Sequence, residues 1–290
     1  MILPELVGLL MWFRACKYPV LADIEKAFLQ LSLNETDREV AKFLWVHNVN
    51  RPLTADNLRV LRFTRVAFGV ISSPFLLAAT LQHHLRNFGT DLAMEMTPNI
   101  YVDNVLLQCD TPEEAVEKSL EARSIFEDAK MNLREFTSNA PGFKSALPTE
   151  LRLDQGEPKV LGIPWNISTD MLRLAFPKQA LQQYTRRTIL KALASVYDPL
   201  GLVGPCLLAA KLHFQNLWDD EHSWDSRLTE PEVAAWLRIE EWVALSVRIP
   251  RRTPASNDEM TQIHTFVDAS KDAYACAVYV RNETSKRSAT

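Results

Sequence analysis

One acid and one amide lie between two apolar runs in residues 99–110, which read NIYVDNVLLQCD. Residues 100–102 and 105–107 have the β-branched, aromatic and aliphatic content that is typical of strands. Asp103 and Asn104 both tolerate tight-turn dihedral angles, so the stretch predicts a β-hairpin with this pair at its tip. Asp103 is then either a plain turn residue or an oxygen ligand for a metal ion.

Length and charge limit the classes of protein that remain. A chain of 290 residues with 47% hydrophobic composition can bury a large core and is expected to form more than one domain. The net charge of −4 gives no overall attraction to nucleic acid. Any nucleic-acid binding must therefore come from local basic patches.

The cysteines and the apolar runs bear on the compartment. Four scattered cysteines without a C-x-x-C pair indicate neither a zinc site nor a disulfide framework, and they favour a reducing compartment. The apolar runs are too short to span a bilayer, and no basic region precedes the first of them as in a cleavable signal. We expect a soluble intracellular protein with no membrane partner.

The first part of the chain mixes strand and helix signals. Residues 19–23 read as a buried strand that ends in Asp23. Ser72-Ser73-Pro74 predicts a helix with serine caps that ends at Gly89, and Thr111-Pro112-Glu113-Glu114 is a capping box that predicts a second helix to about Met131. The order strand, helix, hairpin, helix predicts an α+β fold, with helices on one face of an antiparallel sheet.

The rest of the chain predicts two further domains. Residues 137–158 read as a loop, and a short strand at residues 159–163 follows it. From about Lys178 the pattern is helical, with a capping box at residues 229–232, and residues 250–257 read as a linker. Two strands then flank Asp268. We predict three domains, at residues 1–168, 169–257 and 258–290.

Asp23 and Asp103 are the acids that this arrangement could bring together. Carboxylates on adjacent strands can share divalent cations, because Mg²⁺ prefers hard oxygen ligands. Two-metal sites of this kind hold the attacking and leaving oxygens in phosphoryl transfer. The alternative for Asp23 is an ordinary helix N-cap.

Three segments resemble, in chain order, the central palm motifs of retroelement reverse transcriptases. They are residues 23–30 (DIEKAFLQ), 65–74 (RVAFGVISSP) and 101–104 (YVDN). Flanking segments narrow the resemblance to the polyprotein of Pao/BEL-type long-terminal-repeat retrotransposons; they are FLW at 43–45, SSPFLLAAT at 72–80, MNLRE at 131–135 and YDPLGL at 197–202. The resemblance covers nearly the whole chain. It implies a palm, then a helical thumb or connection region, then the first hairpin of a ribonuclease H-like domain.

The resemblance also implies roles for individual residues. Asp23 and Asp103 match the catalytic aspartates that bind two Mg²⁺ ions, for which Mn²⁺ can substitute, and the backbone carbonyl of Ile24 matches a further metal ligand. Phe28 matches the aromatic steric gate under the incoming sugar, with a plain core residue as the alternative. Phe68 and Gly69 match a nucleotide-binding turn, in which glycine allows close backbone approach.

Other segments carry weaker signals. Residues 159–165 resemble the primer-grip hairpin, with a bare strand as the alternative. Arg59, Arg62 and Arg65 recur every three residues, so only some of them can reach a phosphate from one face of a strand. Arg186, Arg187 and Lys191 open a helix in the region that matches the thumb, where they are either a phosphate-binding face or ordinary solvated charge.

Asn104 departs from the family pattern, which has a second acid at this position. An amide can offer a carbonyl oxygen to a metal ion as a ligand, but it brings no charge. Asp23 lies near the N-terminus, so we expect most of the fingers to be missing, and Asp268 is expected to be the first ligand of a ribonuclease H site that this chain does not complete.

The implied function is that of a fragment of an RNA-directed DNA polymerase, a nucleotidyltransferase that uses two metal ions. Its partners would be an RNA or DNA template with primer, deoxynucleoside triphosphates and the rest of the retroelement polyprotein. The implied location is cytoplasmic, within virus-like particles, or nuclear. The alternative is a catalytically inactive retroelement remnant that at most binds nucleic acid.

Overall fold

The computed structural model describes residues 3–153, 156–174, 181–218, 223–243, 247–253 and 260–283. The chain forms two compact units. The first contains Met1–Glu5 and Lys17–Gly156, and the second contains Leu6–Cys16 and Glu157–Thr290. The first helix is therefore part of the second unit, although the chain enters the first unit directly after it.

The helices and strands are numbered along the chain. The helices are α1 (Leu6–Ala15), α2 (Ala27–Gln30), α3 (Ser73–Phe88), α4 (Asp91–Met96), α5 (Pro112–Asp128), α6 (Phe143–Ala146), α7 (Arg186–Ala194), α8 (Gly204–Asn216) and α9 (Glu230–Val243). The strands are β1 (Tyr18–Ile24), β2 (Lys42–Val46), β3 (Leu58–Arg62), β4 (Ile100–Tyr101), β5 (Asn104–Cys109), β6 (Leu133–Ser138), β7 (Lys159–Val160), β8 (Ile163–Asn166), β9 (Met171–Leu174), β10 (Val247–Pro250), β11 (Met260–Ala269) and β12 (Tyr274–Glu283).

The first unit is built on an antiparallel sheet with the strand order β4-β5-β1-β6. The central strands β1 and β5 are apolar and almost wholly buried, as expected of strands that are covered on both faces. Helices α3, α4 and α5 bury their apolar residues in the same core as these strands, which includes Val20, Leu77, Leu81, Ala93, Val105, Leu107, Ile125 and Phe126. The predicted α+β class is confirmed, whereas the palm and thumb arrangement stays a prediction.

The predicted helix caps are partly correct. Thr111 accepts a hydrogen bond from the Glu114 backbone N–H at the start of α5. Gly89 ends α3 in the left-handed conformation, at φ 74°. Ser72 is the N-cap residue of α3 and proline lies in the first turn, as predicted, but the serines do not cap the helix through their side chains. Ser72 makes no capping hydrogen bond, and the Ser73 hydroxyl instead donates to the carbonyl oxygen of Ala67 at 2.6 Å.

The second unit contains a sheet that sequence patterns did not predict. Its strand order is β10-β9-β8-β7. A strand at residues 159–163 was expected, and the resemblance implied a hairpin at residues 159–165, which β7 and β8 form around Leu161 and Gly162. The strands β9 and β10 were not predicted. The helices α7, α8 and α9 share a second core cluster formed by Ile189, Ala210, Leu217, Leu228 and Trp236. None of the described helices is long and apolar enough to cross a membrane.

Arg251 is a buried side chain of the second unit that makes several hydrogen bonds. It is fully buried, and its guanidinium donates to both carboxylate oxygens of Asp170, at 2.7 and 2.8 Å. Its Nη1 also donates to the backbone carbonyl oxygens of Phe13 and Cys16 at the end of α1. The predicted linker at residues 250–257 is therefore wrong at Arg251. Residues 254–257 lie outside the described residues.

The hairpin of β7 and β8 is held by a tyrosine from the YDPLGL segment. The Tyr197 hydroxyl donates to the carbonyl oxygen of Leu161 at 2.8 Å. Gly162 has φ 93°, and a Cβ at this position would lie 2.8 Å from the Tyr197 ring. Glycine is therefore required here twice, for the backbone conformation and for the close approach of the ring. Two segments that carry the family resemblance thus meet in the second unit.

Candidate metal and nucleotide site

The hairpin of the opening motif is formed, but its tip is one residue earlier than predicted. Tyr101 pairs with Asn104, so the two-residue turn is Val102-Asp103 and Asn104 is the first residue of β5. Val102 has φ 57°, which is a strained conformation for a β-branched residue. Asp103 is therefore positioned by a strained turn rather than by an easily formed Asp-Asn turn.

The sheet brings Asp23 beside this hairpin. Asp23 pairs with Asn104 across β1 and β5, and the backbone N–H of Ile24 donates to the carbonyl oxygen of Asp103 at 2.8 Å. The alternative reading of Asp23 as a helix N-cap is wrong, because the N-cap of the following helix α2 is Lys26. The two acids come together although they are 80 positions apart in the sequence.

Asp23 carries a perturbed carboxyl group. Partial burial, together with the negative charges of Asp103, Glu135 and Glu25, raises the pKa of Asp23 to about 6. Arg134 opposes this shift. Burial and a neighbouring negative charge both disfavour the ionised Asp23 carboxylate. A bound cation, in addition to Arg134, would stabilise that ionised form.

Asn104 contacts Asp103 through its amide nitrogen. The Nδ2 atom of Asn104 donates to the Oδ1 atom of Asp103 at 2.8 Å. A second acid at this position would repel Asp103, whereas the amide satisfies one of its oxygens. The predicted role of the Asn104 amide oxygen as a metal ligand therefore stays a prediction.

Glu135 is a site residue that sequence reasoning missed. The pairing of β1 with β6 shifts register between Leu21 and Asp23, and Glu135 in β6 has φ 57°. This irregularity is a β-bulge, which re-aims side chains at the edges of sheets. Bulges depend on pairing between distant strands, so no local sequence signal could have revealed this one.

Glu25 and Arg134 form the charged border of the site. The Arg134 guanidinium lies 3.4 Å from a Glu25 carboxylate oxygen, and Asn132 donates to the other oxygen of Glu25 at 2.9 Å. Within the described ranges, no three His, Cys, Asp or Glu side chains are grouped so that they could hold a metal ion by themselves.

The predicted nucleotide-binding residues lie next to one another in the first unit. The rings of Phe28 and Phe68 meet edge to face, with 5.0 Å between their centroids. Phe28 is buried at 7% exposure, whereas Phe68 is 67% exposed. Gly69 adopts φ 83°, a conformation that favours glycine. The steric-gate role of Phe28 stays a prediction, and the burial of Phe28 keeps the alternative of a core residue open.

Most of the predicted phosphate-binding side chains are engaged within the protein. Arg186 is buried, and Arg187 forms a two-pronged ion pair with Asp225. Arg187 and Lys191 are both exposed, but of these two only Arg187 is in a salt bridge among the described residues. A basic face on α7 would therefore rest on a single side chain unless Arg187 releases Asp225.

One family model matches the C-terminal part of the chain. Residues 185–290 match the family model described as Pao retrotransposon-like RNaseH-like domain. No curated protein matches the chain. The match supports a Pao retrotransposon protein with a ribonuclease H-like segment, and with it a retroelement polyprotein context and nucleic-acid binding.

The matched region begins at the residue that caps α7. The Thr185 side chain accepts a hydrogen bond from the backbone N–H of Thr188. The match thus includes α7, α8 and α9, which the resemblance to reverse transcriptases implied to be a thumb or connection region. The three predicted domains, with boundaries after residues 168 and 257, stay a prediction.

The pKa of Asp23 predicts a pH-dependent stability in the presence of EDTA. The folded chain holds this proton more tightly than the unfolded chain, so the free energy of unfolding should fall as pH rises from about 4 to about 6. Asp23→Asn should therefore stabilise the chain above pH 6 by about 1 kcal/mol, allowing for solvent screening, and should have little effect at pH 4. Urea unfolding across this pH range measures the effect.

The control is Asp110→Asn, because Asp110 is an exposed acid just beyond the far end of β5. This variant should keep the pH slope of the parent chain. An unchanged slope in Asp23→Asn would show that Asp23 is not the titrating group.

Proposed function

We propose that this chain is the palm-containing segment of a retroelement RNA-directed DNA polymerase, which transfers nucleotides with two metal ions. The observation that carries the proposal is the pairing of Asp23 with Asn104, which places Asp23 beside the hairpin acid Asp103 on one antiparallel sheet. The raised pKa of Asp23 supports it, because burial and then the negative charge of Asp103 disfavour the ionised carboxylate of Asp23, and a bound cation would offset both.

The donor atoms at this site suit Mg²⁺ or Mn²⁺. Asp23 and Asp103 offer carboxylate oxygens, and Ile24 offers a backbone carbonyl oxygen on the same strand as Asp23. These are the hard ligands that Mg²⁺ prefers, with remaining positions filled by water and substrate phosphates. When bound, the ions would supply charge stabilisation at the attacking and leaving oxygens.

The residues of the chain supply position and shape. The backbone hydrogen bond between Ile24 and Asp103 holds the hairpin tip against β1, which keeps the backbone positions that carry the two carboxylates together. Phe28 and Phe68 form the candidate floor for the sugar of a deoxynucleoside triphosphate, and Gly69 allows the backbone to approach it. The primer and template strands would then bind along the same unit.

A second candidate function is a catalytically inactive remnant that binds nucleic acid. The specific observation in its favour is the contact of Asn104 with Asp103 through nitrogen, which occupies a carboxylate oxygen and adds no negative charge. In either case we propose an intracellular location, in cytoplasmic virus-like particles or in the nucleus.

Manganese binding tests the proposed site in the chain as it stands. Mn²⁺ titration followed by electron paramagnetic resonance should show binding that Mg²⁺ competes away and that Asp103→Asn weakens about tenfold or more. Asp110→Asn, with the same loss of charge, should leave binding unchanged. Equal binding by all three proteins would remove Asp103 from the site.

The steric gate predicts a change in sugar selectivity. In a protein extended upstream by the fingers of a Pao element, Phe28→Val should admit ribonucleotides at least about tenfold more readily, because the ribose 2′-hydroxyl gains space. Incorporation of matched ribo- and deoxynucleoside triphosphates measures the ratio.

Phe126→Val is the control for the steric gate, since Phe126 is a buried phenylalanine of the same core that lies on α5 and has no predicted role at the nucleotide. We expect Phe126→Val to leave the ratio of ribo- to deoxynucleotide incorporation close to that of the parent. If Phe28→Val loses stability with the same sugar selectivity as the parent, Phe28 is a core residue only.

A further inference from the structure

The antiparallel ribbon of β2 and β3 presents an aromatic face that the proposed chemistry does not use. Trp45 pairs directly with Arg59, and Phe43 pairs with Leu61 on the same face. Phe63 follows β3, and its ring lies 4.8 Å from that of Phe43, centroid to centroid, at an interplanar angle of 33°. We define the platform as Phe43, Trp45, Arg59, Leu61 and Phe63.

Three side chains of the platform are exposed to solvent. Trp45 is 51% exposed, Phe63 is 42% exposed, and Arg59 is also exposed. An exposed tryptophan directly opposite an exposed arginine offers an apolar surface and a cation side by side to a ligand. Both side chains also have flat π-systems, which can stack on a planar ligand.

The charge of the ribbon favours an anionic ligand. Residues 42–63 contain Lys42, Arg51, Arg59 and Arg62 but only one acid, Asp56, in a chain whose net charge is −4. Lys42 and Arg62 lie on the opposite face and both pair with Glu39. Among the residues that the structure describes, Arg59 forms no ion pair, so the cation of the platform is available to a phosphate.

The far end of the ribbon is held in shape by a buried asparagine. The Asn57 side chain accepts a hydrogen bond from the Asn48 backbone N–H at 2.9 Å and donates to the carbonyl oxygens of Asn48 and Pro52. These bonds fix the loop between β2 and β3 without a ligand. A surface that is already ordered loses little conformational entropy when it binds.

We propose that the platform binds single-stranded nucleic acid, with bases stacked on Trp45 and Phe63 and a backbone phosphate on Arg59. Aromatic side chains and a cation on one β face are the elements of sequence-tolerant single-strand binding. Duplex bases are stacked on each other and cannot offer their faces, so a duplex should bind this surface more weakly. The proposal concerns a separate surface and stands whether or not Asp23 and Asp103 support catalysis.

Fluorescence anisotropy tests the proposal with the 290-residue chain, in EDTA and without nucleotides, so that failure of the polymerase proposal does not affect the result. The probes are fluorescein-labelled oligo(dT) and oligo(rU) of about 12 nucleotides and a blunt duplex of equal length. The parent should prefer the single strands, and Trp45→Ala should weaken their binding about tenfold. Trp45→Phe keeps a smaller ring and should lose less.

The matched control is Leu44→Ala, because Leu44 is 65% exposed on the opposite face of the same strand. It should leave single-strand binding unchanged. Arg59→Gln should lower the slope of log affinity against log salt by about 0.7, and Arg59→Lys should restore that slope. Thermal unfolding of each variant checks that the ribbon is intact.

Three results would overturn the proposal. One is equal loss of binding in Leu44→Ala and Trp45→Ala, and another is unchanged binding in both Trp45→Ala and Trp45→Phe. The third is a dimer of the parent, seen by light scattering without nucleic acid and lost in Trp45→Phe, which would make the platform a self-association surface.

Discussion

Asp103→Asn is expected to reduce deoxynucleotide incorporation by at least about 100-fold, because it weakens a ligand that would be shared by both metal ions. The measurement is primer extension on an RNA template with varied Mg²⁺, in a protein extended upstream by the fingers of a Pao element. Asp110→Asn is the matched control, because Asp110 lies beyond the other end of β5. Robust extension by Asp103→Asn would place the metal site elsewhere.

Asn104→Asp is the complementary change at the same hairpin. It replaces the Nδ2 donor that now contacts Asp103 by a further negative charge. We expect extension to reach half its maximum at a lower Mg²⁺ concentration, because added ligand charge strengthens the binding of hard cations. Without metal, the added repulsion should destabilise the chain at neutral pH.

The pair of variants also separates the two candidate functions. If the parent extends primers, the polymerase proposal gains direct support, and the Asn104 amide is compatible with activity. If the parent, Asn104→Asp and the Asp110→Asn control are all silent despite normal folding, the inactive remnant is the better description of the chain.

Arg251→Met is expected to lower the stability of the second unit by about 3–5 kcal/mol, because it leaves the Asp170 carboxylate without its buried partner. Arg251 is fully buried, and it joins Asp170 to the backbone carbonyls of Phe13 and Cys16. Those carbonyl oxygens would also lose their donor. Urea unfolding followed by circular dichroism measures the loss.

The neighbouring residue supplies the control for Arg251. Arg252 is exposed, so Arg252→Met replaces the same type of side chain one position later and leaves the hydrogen bonds of Arg251 in place. Its cost should stay within about 0.5 kcal/mol. Equal effects of the two variants would mean that the buried network around Arg251 contributes nothing beyond ordinary surface charge.

Local sequence patterns determined much of the first unit. The apolar runs of β1 and β5 predict buried strands, because strands covered on both faces need apolar side chains at every position. The Thr111 capping box and Gly89 correctly marked helix ends. The resemblance to reverse transcriptases pointed to Asp23 and Asp103, although their chemical roles still await the tests above.

Only the tertiary structure decided the features that depend on pairing between distant segments. The hairpin tip moved to Val102-Asp103 because strand register overrides the turn preference of an Asp-Asn pair. Glu135 joined the acids through a bulge, which exists only where β6 meets β1.

The largest departure concerns Arg251, which lies in a stretch whose polar and proline-rich composition is typical of a linker. Composition describes neighbours along the chain, whereas burial depends on partners in space. Asp170 is 81 positions from Arg251 and Phe13 is 238 positions away. The sequence by itself determined which segments could be strands and helices. The tertiary structure decided which charged side chains are buried, since that depends on partners that no local pattern can identify.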